Sequence, residues 1–132
     1  MSADFKLKEL TETIIGAAFK VHNTLGAGFL EKVYENALCL DLRNAGLHVE
    51  QQRAIPVCYA GEIVGDYIAD AVVNDVLILE IKAVSNLDKT HEVQLVNYLK
   101  ATGIEVGLLI NFGGSVEVRR RILSHKHLAK SV

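Results

Sequence analysis

Apolar side chains at the start of the chain recur every three or four residues. Leu7, Leu10, Ile14, Ala17, Val21 and Leu25 fall on one helical face, and Gly26 is a stop signal. A second helix is expected from about Gly28, with Leu30, Val33, Tyr34, Ala37 and Leu38 as its apolar stripe and Gly46 at its end. From His48 to Val84 the period drops to two, with breaks at Ala60-Gly61 and Asn74-Asp75. That pattern predicts three consecutive strands in an antiparallel meander. Asp88 can cap a third helix that runs to about Ala101 and closes at Gly103. Val106 to Phe112 is apolar throughout, as suits a strand covered on both faces. Gly113-Gly114 then turns the chain into a strand near Val116 to Ile122, and Arg119 to Arg121 mark it as a charged edge. The predicted order is ααβββαββ, an α/β chain without repeat or linker.

Composition narrows this picture. A chain of 132 residues, half of them hydrophobic and 23% charged, is expected to fold as a single domain over 1–132. No apolar run is long enough to span a membrane, and Met1 to Lys6 has no signal-peptide core, so the cytosol is the expected location. Cys39 and Cys58 have neither disulfide nor zinc spacing and are read as buried small hydrophobes. Net charge is −2, but Arg119, Arg120, Arg121, Lys126 and Lys130 stand in a C-terminal stretch without an acid, leaving −7 on the rest of the chain. A basic tail over about 123–132 could meet phosphates; a solvated edge and frayed end is the plainer reading.

The sharpest chemistry lies in Leu77-Ile78-Leu79-Glu80-Ile81-Lys82. The run reads as a buried strand, yet it carries a carboxylate and an ammonium two residues apart, on one face. Charges there are costly unless paired or bound to a metal. Asp70 lies ten residues upstream in the preceding strand-like run. Two carboxylates on one face of adjacent strands repel, and a divalent cation between them explains their coexistence. Two such carboxylates and a lysine can hold the ion and polarise a water, as phosphodiester cleavage requires. Parity limits how this can happen. A two-residue turn at Asn74-Asp75 would set Asp70 across from Leu79, on the wrong face. A three-residue loop, Asn74-Asp75-Val76, pairs Val73 with Leu77 and Asp70 with Glu80; a β-bulge would restore the same parity.

Gly28-Phe29-Leu30-Glu31-Lys32-Val33-Tyr34 resembles the Gly-x-x-Glu-x-x-Tyr signature of the GxxExxY proteins, a group within the PD-(D/E)xK nuclease superfamily. The resemblance continues through Ala69-Asp70, Glu80-Ile81-Lys82, His91 to Tyr98 and Gly107 to Gly113, covering roughly residues 8 to 122 in order. It implies a restriction-endonuclease-like core, a mixed β-sheet flanked by helices. It also implies a nuclease in which Asp70 and Glu80 hold Mg2+ (or Mn2+), with the carbonyl of Ile81 as a third ligand, and Lys82 assists the attacking water. Glu31 would support the metal directly or through its water shell. Gln94 and Tyr98, one helical turn apart, resemble the Gln-x-x-x-Tyr motif of RecB-type and lambda-exonuclease-type nucleases and would contact the site or a substrate phosphate. The implied partner is nucleic acid, DNA first, with a homodimer left open.

Blander readings compete at the remaining positions. Spacing alone makes Glu31 an acid that favours a helix N-terminus. Tyr34 is read as packed, with its hydroxyl bonded within the site, and Gly28 as serving the turn between helices. Asp66 is expected to be solvated and His22 a helix-end residue, while His91 is evenly balanced between site and surface. The rival to an enzyme is a catalytically silent module that keeps the nuclease fold for nucleic-acid binding or oligomer assembly; the acidic body favours it, and the intact Asp70, Glu80 and Lys82 set opposes it.

Overall fold

The computed structural model describes residues 7–124. Helix α1 spans Lys8–Leu25 and helix α2 Glu31–Asn44, followed by strands β1 Val49–Tyr59, β2 Glu62–Val73 and β3 Leu77–Lys82. Helix α3 spans Lys89–Thr102 and leads into β4 Val106–Phe112 and β5 Val116–Ile122. The order is ααβββαββ, as the hydrophobic periods predict. The sheet is mixed and keeps the sequential order β1-β2-β3-β4-β5. β1, β2 and β3 form the antiparallel meander, β3 and β4 run parallel across the α3 crossover, and β5 returns antiparallel as an edge.

Two cores result. On one sheet face, Ile14, Ala18 and Val21 of α1 and Tyr34, Leu38 and Leu42 of α2 pack on Leu77, Leu79, Ile81, Leu108 and Ile110. On the other, Leu95, Tyr98 and Leu99 of α3 pack on Ile55, Val72, Ile78 and Leu109. Both faces of β3 and β4 are therefore covered, which is why their sequences are apolar without alternation. Among the described residues, no helix is long and apolar enough to cross a membrane.

Two expectations need correction. Helix α2 begins at Glu31, not Gly28, and Leu30 is extended at its cap. The buried stripe is therefore Tyr34, Glu35, Leu38, Cys39 and Leu42, while Leu30 is 81% exposed and Val33 also faces solvent. Cys39 is buried, but Cys58 is exposed near the end of the β1–β2 hairpin.

The β2–β3 connection is the three-residue form. Asn74 and Asp75 both adopt left-handed backbone (φ 52° and 58°), the Val76 N–H donates to the Val73 carbonyl at 3.0 Å, and Val73 pairs with Leu77. Asn and Asp tolerate this conformation better than other side chains do. One step past the last ladder pair, Ala71 with Leu79, the same register sets Asp70 across from Glu80.

Helix α3 lies close against β4 because Gly107 has no side chain. A Cβ there would stand 2.6 Å from Leu95 Cδ1 and 3.0 Å from its Cγ. Gly107→Ala is therefore expected to destabilise the fold by about 1–3 kcal/mol through overpacking. The check is a lower urea midpoint at unchanged slope.

Candidate active site

The site is a fork in the sheet. β2 and β3 pair through only three steps, from Val73↔Leu77 to Ala71↔Leu79, whereas β3 stays paired with β4 as far as Lys82↔Asn111. Strand β2 thus leaves β3 just before Asp70, and backbone N–H groups at the parting lose their ladder partners. The two carboxylates replace those partners. Glu80 Oε2 accepts the Asp70 N–H at 2.8 Å, and Asp70 Oδ2 accepts the Ile81 N–H at 2.7 Å. Each acid clasps the opposite strand.

The pleat also turns over at this point. Ala69 packs in the α3-side core and Ala71 in the core of α1 and α2, although residues two apart on a regular strand share a face. On β1, Gln52 lies between the Gln51↔Ala71 and Arg53↔Ala69 pairs, thus across from Asp70, and its backbone is left-handed at φ 54°. Such a conformation is strained for a residue with a side chain and persists only where surroundings hold it. Here Glu35 holds it. Its carboxylate, 2% exposed on α2, accepts from Gln52 Nε2 at 3.1 and 3.2 Å, from Gln51 Nε2 at 2.7 Å and from Lys32 Nζ at 3.2 Å. Sequence reasoning passed over Glu35. Its signal was position: 35, 38 and 42 are the spacing of the buried stripe, and an acid on such a stripe needs partners.

Burial governs the charges. Glu80 is 5% exposed, and burial first, then the Asp70 charge, pushes its carboxyl up to about 8, against the Asp70 N–H bond and Lys82. Burial also raises Asp70; the Ile81 N–H opposes this, Glu35 adds to it, and Lys82 and Lys32 oppose it. Glu31 is raised by burial, opposed by Lys82 and reinforced by Asp70 and Glu35. The fold therefore brings Glu31, Glu35, Asp70, Glu80 and Lys82 into one electrostatic field. Asp70 Oδ1 and Glu80 Oε1 have no hydrogen-bond partner among the described residues. A buried Glu80 and a half-buried Asp70, side by side and each with an oxygen outside these two bonds, fit a hard divalent cation. Among the described residues, no three His, Cys, Asp or Glu side chains converge as a ligand set. Two carboxylates with a backbone oxygen and waters suit Mg2+, which gives up its water reluctantly.

Helix α3 contributes the next layer. Gln94 Nε2 donates to the Tyr98 hydroxyl at 2.7 Å, and the buried Tyr98 phenol is raised by burial and by the Glu80 charge, within whose electrostatic reach it stands. His91 Nδ1 accepts the Asp88 N–H at 3.1 Å in a capping box, so its ring serves the helix start. His22 Nε2 lies 2.9 Å from the Gly113 carbonyl, with its ring stacked near Tyr34 and Phe112. Tyr34 is packed as expected, but its hydroxyl leaves the site. It donates to the Gly26 carbonyl at 2.6 Å and accepts from Phe29 N–H at 3.2 Å, pinning the α1–α2 turn in which Gly28 has φ 105°. Asp66 is exposed across from Pro56. In the basic segment, Arg119 pairs with Glu92 at 2.7 Å and Glu117 at 2.8 Å, and Arg121 also pairs with Glu92. These arginines tie β5 to α3; Lys126 and Lys130 lie outside the described residues.

A pH dependence follows from Glu80. With its carboxyl at about 8, the folded chain keeps a proton that the unfolded chain loses near the ordinary carboxylate value of 4.5. Stability from this group is complete below that ordinary value and is lost as pH rises through about 8. In protein freed of divalent ions, urea-derived stability should fall over this window by at most about 1.4 kcal/mol per pH unit. Glu80→Gln, neutral throughout, should flatten the decline; an equally steep decline in the variant contradicts the assignment.

The model of the PD-(D/E)XK nuclease superfamily matches residues 8–122. A comparison with curated proteins finds no match. Among solved structures, the crystal structure of SSO0001 is similar at TM-score 0.56 and 18% identity, covering 76% of this chain and 55% of that one. An alkaline exonuclease, LHK-Exo from Laribacter hongkongensis, is similar at TM-score 0.56 and 14% identity, covering 76% of this chain and 59% of that one. The chain spans little more than half the length of either, and the likeness is one of fold. With the family match over nearly the whole described chain, and the clasped Asp70 and Glu80 at the fork of its mixed sheet, this chain belongs to the PD-(D/E)XK nuclease superfamily.

Proposed function

We propose that this single-domain chain is a Mg2+- or Mn2+-dependent nuclease of the GxxExxY group, acting on nucleic acid, DNA first, in the cytosol. The observation that carries the reading is the half-buried clasp of Asp70 and Glu80 at the parting of β2 and β3, with Lys82 two residues further along β3. Asp70 and Glu80, with the Ile81 carbonyl, would hold the cation. Bound there, it would supply Lewis acidity toward a phosphate oxygen and a water, and offset the charge of the pair.

The chain's own residues supply the rest. Lys82, half-buried and within electrostatic reach of both acids, would hold the attacking water, share its proton and balance charge that grows on the phosphate. Glu31 stands within electrostatic reach of Lys82 and Asp70 and would accept hydrogen bonds from water around the pair. Because Gln94 donates to the Tyr98 hydroxyl, the phenolic proton is left to donate to a phosphate oxygen. Glu35, through Gln52, is a positioning residue for Asp70.

Two measurements test this reading. Calorimetric titration with Mn2+ should show one site in the wild type and weak or no binding in Asp70→Asn; equal binding by both proteins rejects the metal assignment. Labelled single- and double-stranded DNA and RNA should be cut only with Mg2+ or Mn2+, and Lys82→Ala should slow cutting about 100-fold or more with the fold intact. Binding without metal-dependent cutting would make the chain a silent nuclease-fold module instead.

A further inference from the structure

Between the β1–β2 hairpin and α3 lies a cavity of about 520 Å³. Its walls include Pro56 and Tyr67 from the hairpin and Gln94, Asn97, Tyr98 and Lys100 from α3. The volume falls in the range of small-molecule sites. Tyr98 lines this cavity and its phenol feels the Glu80 charge, and Tyr67 stands on the same strand as Asp70, so β2 and α3 link the cavity to the carboxylate pair.

The lining has a distinct chemistry. Tyr67 is 49% exposed and meets Tyr98 at a ring-centroid distance of 6.0 Å and an interplanar angle of 50°. Tyr98 is buried in the core, while about half of Tyr67 remains open to solvent, which leaves an aromatic side chain at the cavity available for stacking. No acidic residue lines the cavity, although the chain carries net negative charge. Lys100 is exposed and has no ion-pair partner among the described residues. The exposed Asn97 amide offers both a donor and an acceptor. An aromatic face, an amide and an unpaired ammonium around one hollow match a nucleobase and its phosphate. Tyr67 lies three residues before Asp70 on β2, about 10 Å along the strand. A nucleic-acid strand with a phosphate at the carboxylate pair would carry a neighbouring base toward it. Within a duplex that base face is covered by its neighbours, so only a base out of the stack can enter.

We propose that this cavity is a base-binding pocket for one unstacked nucleotide of single-stranded or frayed nucleic acid, with the base stacked on Tyr67 and the phosphate held by Lys100. The proposal rests on the nuclease reading and names its substrate form. The test is binding of fluorescein-labelled strands of about 12 nucleotides, as DNA and as RNA, to Glu80→Gln protein, which keeps the shape of the site without its full charge. Three probes are compared by anisotropy: the base-bearing single strand, the same strand made abasic, and the blunt duplex. The base-bearing strand should bind about tenfold or more tighter than the other two. Adding Tyr67→Ala should weaken base-bearing binding by about 5- to 100-fold and leave the abasic strand unchanged, while Tyr67→Phe should retain affinity. Lys100→Ala should weaken both single strands alike and lower the salt slope by about 0.7. Tyr67→Ala without effect on both DNA and RNA, or a duplex bound as tightly as the single strand, overturns the proposal; an unchanged salt slope in Lys100→Ala removes the phosphate contact. Cutting is not measured here, so base-dependent binding by a chain that never cuts would refute the enzyme and leave the pocket. Metal-dependent cutting that ignores Tyr67 would do the reverse.

Discussion

Strands that part inside a protein leave backbone N–H groups without partners, and a buried orphan of that kind costs as much as a lost hydrogen bond. Here the cost is met by two carboxylates, Asp70 and Glu80, each accepting an N–H from the opposite strand. The same two bonds keep the fork from collapsing and hold two carboxyl groups beside each other, Glu80 buried and Asp70 half-buried. A structural necessity and a chemical liability thus occupy the same atoms. The rise of the Glu80 carboxyl to about 8 records the liability, and a cation between the unengaged oxygens would relieve it.

The fork could not stand by itself. Asp70 is reached through a strand whose pleat turns over, and that inversion is matched on β1 by the left-handed Gln52. Glu35 keeps Gln52 in place from helix α2, and Lys32 offsets its charge. Helix α2 therefore does more than cover one sheet face: its first turns bring Glu31 into the field of Lys82 and Asp70 and fix the backbone across from Asp70. Helix α3 does the matching work on the other face. Leu95 and Leu99 seat it in the core, Gln94 bonds the Tyr98 hydroxyl within reach of the Glu80 charge, and Glu92 ties it to Arg119 and Arg121 of the edge strand. The site is assembled from two helices that each have a full structural role, so its geometry inherits the rigidity of both cores.

Much of this was legible in the chain. Period and punctuation determined the elements and their order, because apolar spacing, Gly and the Asp88 cap act locally. Parity determined more than propensity could. Asp70 and Glu80 can face each other only with an odd loop or a bulge between them, and the chain uses Asn74-Asp75-Val76. The apolar run of β4 foretold a strand covered on both sides. What the sequence did not determine was the exact start of α2 and how the helix is rotated against the sheet: Leu30 and Val33 face solvent and Glu35 faces the core. Cys58 reads as strand and therefore as buried, but exposure depends on what packs on that stretch, and the hairpin end is left open to solvent. Only tertiary structure decided that β2 leaves β3 at Asp70, that the pleat inverts there, and that Glu35 pins Gln52. Each of these depends on backbone paths of segments far apart in sequence, and local side-chain patterns carry no record of where two strands stop pairing.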